Sequence, residues 1–418
     1  MTTRIDALEQ LPVPEGPPRR RLPPRQWARE NLFGSVLDSV LTVLFGLFLA
    51  WAAYRVAKFV FVDADWEIIE RNLTTLLVGS FPRDELWRLW AALFVLAASL
   101  GFGAGAIGAQ RRREVAEGRA LPAPKGLAIR RLGPLVVLVG VLLWFGGSLS
   151  SLLLVLAITG VAFAFNLVGR LWPERLQRYV PLVVLIFVGV AFLVVVAFGG
   201  VKWNDWGGLL LTLFLAVGGI LMSFPIGVLL ALGRRSSLPA VRVVCIGYIE
   251  LIRGVPLITL LFMGAFMIGF FLPPGVERPD PVIRALIAFV MFTSAYVAEI
   301  VRGGLQSVPS GQIEAAQALG LSAYRTTRQI ILPQALRNVI PGIVGQFISL
   351  YKDTSLVFIV GLADLLTIAE NITKQPDFFA QGLIVETLIF ASFIYWTGSY
   401  WMSRESQRLE QRLGLGER

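Results

Sequence analysis

The longest uncharged stretch of the sequence is LGPLVVLVGVLLWFGGSLSSLLLVLAITGVAFAFNLVG, residues 132–169. As one α-helix its 38 residues would measure about 57 Å, whereas the hydrocarbon core of a bilayer is about 30 Å thick. Gly146, Gly147 and Ser148 lie near its middle and favour a turn, because glycine adopts backbone conformations that other residues resist. The stretch therefore predicts two membrane spans, 132–147 and 150–168.

The composition of the whole chain agrees with a protein built from such spans. Of the 418 residues 56% are hydrophobic and 16% are charged, against roughly 25% charged in soluble domains, and the mean hydropathy is +0.69. Histidine is absent and Cys245 is the single cysteine, which excludes intrachain disulfides and zinc sites that need imidazole or clustered thiols. The composition predicts an all-α polytopic membrane protein. Its ten predicted spans are 36–58, 89–108, 132–147, 150–168, 180–199, 207–231, 255–272, 282–301, 339–360 and 383–402.

The distribution of basic residues supports the count of ten spans. Lysine and arginine concentrate on the cytoplasmic side of membrane proteins. With ten spans, 28 of the 38 basic residues fall on the side that carries both chain ends, and 7 fall on the other side. If 132–168 were one span, every later loop would change sides. The sequence therefore predicts cytoplasmic N- and C-termini, and the net charge of +10 reflects topology rather than nucleic-acid binding.

One loop between two predicted spans does not resemble a simple connector. Residues 303–338 form a link of about 36 residues, longer than a compact helix bundle needs. Pro309-Ser310-Gly311 predicts a turn into one short helix. A second helical stretch is predicted over 323–331, before Leu332-Pro333. Two short helices joined near Gly320 make a stiff protrusion, which suits docking against a soluble partner.

The same loop carries a resemblance to a known family. Glu314-Ala315-Ala316, three residues, Gly320, nine residues, Ile330, one residue, Leu332-Pro333 resembles the cytoplasmic signature of permease subunits of bacterial ABC importers. The resemblance implies that the loop is the coupling helix, which fits a groove on the ATP-binding subunit. Glu314 would offer a charge to a basic surface, the two alanines would allow close approach, and Gly320 would permit the turn. The alternative is an interfacial helix without a partner.

Further stretches narrow the resemblance. Segments similar to those of polar amino acid permeases are ELIRGVPLI (250–258), SAYVAE (294–299), RGG (302–304) and KDTSLV (352–357). Together with 211–236 they imply a five-helix, MetI-like permease core over roughly 207–402. The sequence of these segments is similar to that of the larger permease subunit of general L-amino acid importers, the AapM/BztC type within the HisM family. This resemblance implies that the chain carries polar or general L-amino acids across the bacterial cytoplasmic (inner) membrane.

The resemblance also implies partners, and the residues themselves suggest a division of the chain. The expected partners are an ABC ATP-binding subunit dimer, an extracytoplasmic solute-binding protein, and a second related permease subunit or a second copy of this chain. No cofactor is expected in this chain, because ATP is bound by the partner. The expected regions are a disordered basic tail (1–30), an N-terminal region of about five spans (31–200), the permease core (201–403) with its coupling loop (303–335), and a cytoplasmic tail (404–418). The tail at 1–30 is predicted to anchor the topology, with binding to anionic membrane lipid as the alternative.

Lys352-Asp353-Thr354-Ser355 interrupts a predicted span. A charged side chain inside the membrane costs free energy unless it is paired with another charge or in contact with water. Broken helices in transporters place polar groups around polar substrates, and a zwitterionic amino acid needs partners of both signs. These four residues are therefore candidate pathway residues; the alternative is a self-neutralised pair that fixes the helix break.

Two pairs of charged residues suggest structure near the cytoplasmic surface. Glu299 and Arg302 have i, i+3 spacing on one helix and could form a clamp beside the docking loop. Glu250 and Arg253 have the same spacing before the break at Pro256, where gating is the functional alternative. Separately, the GxxxG of Gly101 and Gly105 predicts close helix packing.

Missing motifs exclude other functions. The sequence has no phosphate-binding loop of the GxxxxGK[ST] type, so it is not the ATPase and is not expected to be an enzyme. Two alternatives to the importer subunit stay open at this point: a secondary transporter coupled to an ion through Asp353 or Glu299, and a membrane scaffold that recruits a partner through 303–335.

Overall fold

The computed structural model describes residues 23–118, 127–196, 201–273, 275–379 and 381–413. Every regular element in these ranges is helical, apart from one isolated bridge between Gly208 and Asp364, which confirms the all-α class. The chain divides into two compact units, residues 1–65 and 66–418.

The first unit contains two helices, α1 (Pro24–Asn31) and α2 (Val36–Lys58), followed by a π-helical turn at Phe59–Asp63. Ser35 caps α2, since its side chain accepts a hydrogen bond from the Asp38 amide at 3.1 Å. The apolar residues of α2 surround the helix and none is buried, as expected for a helix in contact with lipid. Part of the predicted disordered tail is helical instead, because proline at the first helical position favours helix initiation. Residues 1–22 of that tail lie outside the described residues.

The second unit contains fourteen helices within the described ranges. They are α3 (Glu67–Val78), α4 (Leu86–Ala116), α5 (Leu127–Gly146), α6 (Leu149–Arg170), α7 (Val180–Val196), α8 (Gly208–Arg234), α9 (Pro239–Gly254), α10 (Leu257–Phe262), α11 (Pro281–Gln306), α12 (Ser310–Ala318), α13 (Ala323–Thr326), α14 (Leu332–Asp353), α15 (Leu365–Ile372) and α16 (Ile384–Arg412). Most of the predicted C-terminal tail at 404–418 is thus a continuation of α16, and residues 414–418 lie outside the described residues.

The predicted turn inside the long apolar stretch is confirmed. α5 ends at Gly146, and Gly147 has a φ of +53°, a conformation that favours glycine. Ser148 then caps α6 by accepting a hydrogen bond from the Ser151 amide at 3.2 Å. α5 packs against α3 and α16, whereas α6 packs against α4, so the two helices belong to different parts of the bundle.

Length and composition qualify seven helical segments in the described part of the chain as membrane spans. A bent pair, Pro239–Gly254 with Leu257–Phe270, brings the number to eight if it counts as one span. The other two predicted spans correspond to α5, whose apolar part Leu132–Gly146 is shorter, and to α16, which mixes polar residues with apolar ones. The ten-span topology therefore stays a prediction, although each predicted span coincides with a helix or with the bent pair.

α4, α6 and α7 form a side bundle, and glycines set its tightest contact. A Cβ atom added to Gly101 would clash with the carbonyl oxygen of Ala162, and one on Gly105 would clash with that of Asn166. In return, Gly169 on α6 lies against the Phe102 carbonyl. The close packing predicted from the GxxxG motif is confirmed, because the absent side chains let the two backbones touch.

α8 and α11 lie at the centre of the remaining bundle, where they pack on each other. α14 packs against both helices and α9 against α8 and α11, while α16 packs against α14 and α15. At one end of the bundle α3 lies against α8 and α15, and Gly79 touches Gly207 so closely that neither position has room for a side chain. This frame fixes the positions of the candidate residues.

Candidate functional site

The loop between α11 and α14 contains the two predicted short helices. α12 ends in a glycine cap: the Gly320 amide bonds to the Gln317 carbonyl at 2.9 Å, and the φ of Gly320 is +73°. Ser322 then accepts a hydrogen bond from the Arg325 amide and starts α13, which continues as a π-helical turn at Thr327–Ile331 into α14. The chain therefore turns sharply at the one position where the motif requires glycine.

The loop is anchored on one side and exposed on the other. Ile313 and Leu332 pack against a core cluster that includes Leu305, Ile331 and Ala335. Ala316 is 1% exposed, whereas Glu314 and Ala315 face outward with Pro333, and Ile330 is half-buried. Two large apolar side chains, Leu319 at 79% and Tyr324 at 69% exposure, project from the protrusion. Within the described residues the Glu314 carboxylate forms no hydrogen bond or ion pair.

Glu299 on α11 lies at the centre of an ionic cluster near this loop. Its side chain is 19% exposed and pairs with Arg302 on the same helix, as the i, i+3 spacing predicted. Arg234 at the end of α8 approaches Glu299 at 3.3 Å, and Arg253 at the end of α9 approaches it at 3.4 Å. The cluster therefore joins the ends of α8 and α9 to α11.

Among the described side chains, Glu250 and Arg253, which share the i, i+3 spacing, contact residues on other helices rather than each other. Glu250 pairs with Arg234 at 3.7 Å, and the Arg253 guanidinium lies over the Tyr296 ring, 5.5 Å from its centroid, as well as against Glu299. The neighbouring helices α8 and α11 supply these partners, which the local spacing does not indicate. The break at Pro256 follows directly and bends the path from α9 to α10 by 105°.

The Lys352–Ser355 segment marks a change of helix type. α14 ends at Asp353, and a 3₁₀ segment, Thr354–Val360, continues to Gly361, whose φ is +81°. Lys352 is exposed, Asp353 and Ser355 are half-exposed, and Thr354 is fully buried. Across the described ranges, Lys352 and Asp353 form no ion pair with each other or with another side chain. Both interpretations of the segment, pathway lining and a pair that fixes the end of the helix, stay predictions.

Comparison with known proteins identifies the family. Residues 223–414 match the family described as "Binding-protein-dependent transport system inner membrane component". The chain is 36% identical over 405 residues to the inner membrane amino-acid ABC transporter permease protein YhdY of Escherichia coli, and the match covers 93% of each chain. The chain belongs to the amino-acid ABC transporter permease family. The permease is also 35% identical over 426 residues to the glutamate/glutamine/aspartate/asparagine transport system permease protein BztC of Rhodobacter capsulatus, again over 93% of both chains.

Membership of this family places the permease in a functional class. It is a multi-pass membrane protein and a transport component rather than an enzyme. Permeases of this family work with an ATPase and a substrate-binding protein. The ion-coupled secondary transporter considered from the sequence gains no support from these relatives. A shorter relative, the probable glutamine ABC transporter permease protein GlnP of Bacillus subtilis, is 36% identical over 208 residues, which cover 50% of the permease and 92% of GlnP.

Sequence reasoning missed two groups of residues in the permease. Arg234 enters the ionic cluster from α8, 65 positions before its partner Glu299, and no local pattern joins them. Asp364 and Tyr395 form a hydrogen bond of 2.9 Å in a buried network, although Asp364 falls in a loop that the sequence places outside the membrane. A signal was available for Asp364: an aspartate directly before an apolar run predicts a helix cap.

Proposed function

We propose that this permease subunit forms a translocation pathway for polar or general L-amino acids and couples it to a separate ATPase dimer through 303–335. The exposed protrusion carries the coupling part of the proposal. Leu319 and Tyr324 are exposed although both are large and apolar, and exposed patches of this kind are typical of surfaces that bind another protein. The core contacts of Ile313 and Leu332 keep the protrusion stiff, so a displacement of its tip would reach α11 and α14.

One exposed face of α14 supports the pathway part of the proposal. Gly342, Gly345 and Lys352 are exposed and Ser349 is half-exposed on the same side of the helix. Lipid is a poor environment for an unpaired lysine, because the charge would have to leave water without compensation. We infer that this face lines a wet pathway, shared with a second related permease subunit or a second copy of this chain. Lys352 would face a substrate carboxylate there, and Asp353 would face an ammonium group.

The names of the relatives support the substrate class. YhdY is named as an amino-acid permease, and the name of BztC specifies glutamate, glutamine, aspartate and asparagine. We infer that polar amino acids reach this permease from a substrate-binding protein on the extracytoplasmic side. We also infer that the chain lies in a bacterial cytoplasmic membrane with both termini inside, since 28 of 38 basic residues then lie on that side.

The coupling proposal is tested by co-purification of the permease with its ATPase subunit. Glu314→Lys reverses the exposed charge, and Gly320→Val places a branched side chain at a φ of +73°. Both variants should insert into the membrane, but they should co-purify with little of the ATPase subunit and show no uptake. Gly311→Ala, on the same loop and with open space around its Cβ, is the control and should behave as the unmodified protein. Normal ATPase retention in Glu314→Lys and Gly320→Val would contradict the proposal.

A further inference from the structure

A buried hydrogen-bond network joins four helices next to the end of α14 at Lys352–Asp353. At its centre Asp364 is 0% exposed and caps α15, accepting hydrogen bonds from the Leu366 and Thr367 amides at 3.1 Å each and from the Thr367 hydroxyl. Tyr395 on α16 donates its hydroxyl to Oδ2 of the same carboxylate at 2.9 Å, the oxygen that also accepts the Leu366 amide. A hydrogen bond donated to a carboxylate is stronger than a hydrogen bond between two neutral groups. Asp364 therefore holds α15 and α16 together.

The network continues into α8. Thr212 is fully buried; its hydroxyl oxygen accepts the Leu365 amide at 3.2 Å and donates to the Gly208 carbonyl at 3.2 Å. The Gly208 amide in turn bonds to the Ala363 carbonyl at 2.9 Å. The start of α15 is thus fixed to the start of α8 by side-chain and backbone bonds.

The network also reaches the end of α14. Tyr351, directly before Lys352, donates its hydroxyl to the Ile394 carbonyl at 3.3 Å, and its ring lies 5.3 Å from the ring of Tyr395. Thr354, directly after Asp353, is fully buried and donates to the Tyr351 carbonyl at 2.8 Å. Buried hydrogen bonds therefore fix Tyr351 and Thr354, the residues on either side of Lys352–Asp353. Lys352 itself is exposed and Asp353 is half-exposed.

We propose that Tyr395, through its hydrogen bond to Asp364, is a positioning residue that holds the end of α14 at Lys352–Asp353 in its working geometry and passes displacements of α15 to it. The proposal rests on the proposed transport function. Among the described residues no lysine or arginine pairs with Asp364, and Tyr395 is the donor that reaches it from another helix. Loss of this one hydroxyl would remove the polar contact between α16 and Asp364, while the apolar packing of α15 on α16 and the cap on α15 stay in place.

The test uses the complete transporter with its ATPase and binding protein in proteoliposomes, with Tyr395→Phe compared to Tyr400→Phe. Tyr400 is on the same helix, and its hydroxyl accepts a hydrogen bond from Arg404, away from the network. We expect Tyr395→Phe to lower the maximal uptake rate per purified complex about tenfold. A change of this size corresponds to the loss of one hydrogen bond to a charged group. The half-saturating concentration of loaded binding protein should not move, and Tyr400→Phe should keep the full rate.

A second pair of variants guards against simple misfolding. Thr212→Val removes the hydroxyl that accepts the Leu365 amide, whereas Thr212→Ser keeps it. Turnover should fall in the valine variant and be retained in the serine variant. Equal turnover in Tyr395→Phe and Tyr400→Phe would overturn the positioning role. So would a loss of uptake in Tyr395→Phe that matches a loss of folded protein. Absence of ATP-driven uptake in the unmodified complex would instead contradict the proposed function.

Discussion

Glu299 is the residue on which three helices of the permease converge. One carboxylate faces the guanidinium groups of Arg234, Arg253 and Arg302, and Glu250, which is largely exposed, compensates part of the excess positive charge. Charges that are partly buried interact more strongly than exposed ones, because water and salt screen them less. Glu299 thus stabilises the ends of α8 and α9 against α11, beside the coupling loop.

Glu299→Gln should destabilise the protein by about 1–2 kcal/mol, since three guanidinium groups would face one another without a carboxylate. Thermal unfolding in detergent measures this, and the deficit should shrink in high salt. Glu277→Gln removes an exposed carboxylate outside the cluster and should leave the unfolding temperature unchanged. Equal unfolding temperatures for Glu299→Gln and the unmodified protein would count against the stabilising role.

Asp353→Asn tests the pathway assignment. We expect the variant to keep its ATPase subunit but to lower uptake about tenfold, because an amide would replace the carboxylate facing a substrate ammonium. Asp205→Asn, which changes a half-exposed aspartate outside the Lys352–Ser355 segment, serves as the control in the same uptake assay. Unaltered uptake kinetics in Asp353→Asn would reduce Asp353 to a structural residue.

Sequence patterns predicted residues whose roles depend on near neighbours in the chain. The turn at Gly320 and the Glu299–Arg302 pair are such cases. Arg234 and Tyr395 escaped prediction because their partners are brought close by helix packing, across 65 and 31 positions of sequence.

At the scale of elements, the α4–α6 contact shows how glycine replaces side-chain packing in this membrane protein. Asn166 adds a hydrogen bond from its amide nitrogen to the Gly101 carbonyl at 3.3 Å, where the two backbones touch. The GxxxG motif predicted close packing, but it carries no information about the partner helix. That information lies in Gly169 and Asn166 on α6, which the sequence alone does not pair with α4.

Gly105→Ala should destabilise the side bundle by about 1–3 kcal/mol, because the new methyl group would overlap the Asn166 carbonyl. Gly108→Ala is the matched control: it lies on the same helix with no atom within 4 Å of its Cβ, and should be neutral or slightly stabilising. Thermal unfolding of the two purified variants measures the difference. Identical stability would mean that α4 and α6 do not touch at Gly105.

The broken elements were predicted less well than the straight ones. The sequence places a full span at 255–272, whereas the helical path Leu257–Phe270 is roughly 20 Å long and joins α9 at 105°. The apolar composition is correct for a span, but hydropathy does not encode the bend, which depends on Pro256 and on the packing of α9 against α8 and α11.

At the scale of the whole molecule, topology depends on the turn between α5 and α6. Ser150→Cys, in an exposed position of the first turn of α6, should react with an impermeant thiol reagent added to intact cells. Gln317→Cys, exposed on α12, should react after permeabilisation and not before. Both variants are made with Cys245→Ala, which removes the natural thiol. Labelling of Ser150→Cys from the cytoplasmic side alone would contradict the ten-span arrangement.

The central claim is that this chain carries amino acids by coupling to an ATPase it does not contain. The most direct measurement is uptake of labelled glutamate, glutamine, aspartate or asparagine into proteoliposomes. These hold the permease, alone or with a second related permease subunit, together with its ATPase and its binding protein. We predict uptake that requires ATP and is lost in Glu314→Lys, whose changed charge lies on the exposed face of the coupling loop. Uptake by the permease without the ATPase, or full uptake in Glu314→Lys, would contradict the account.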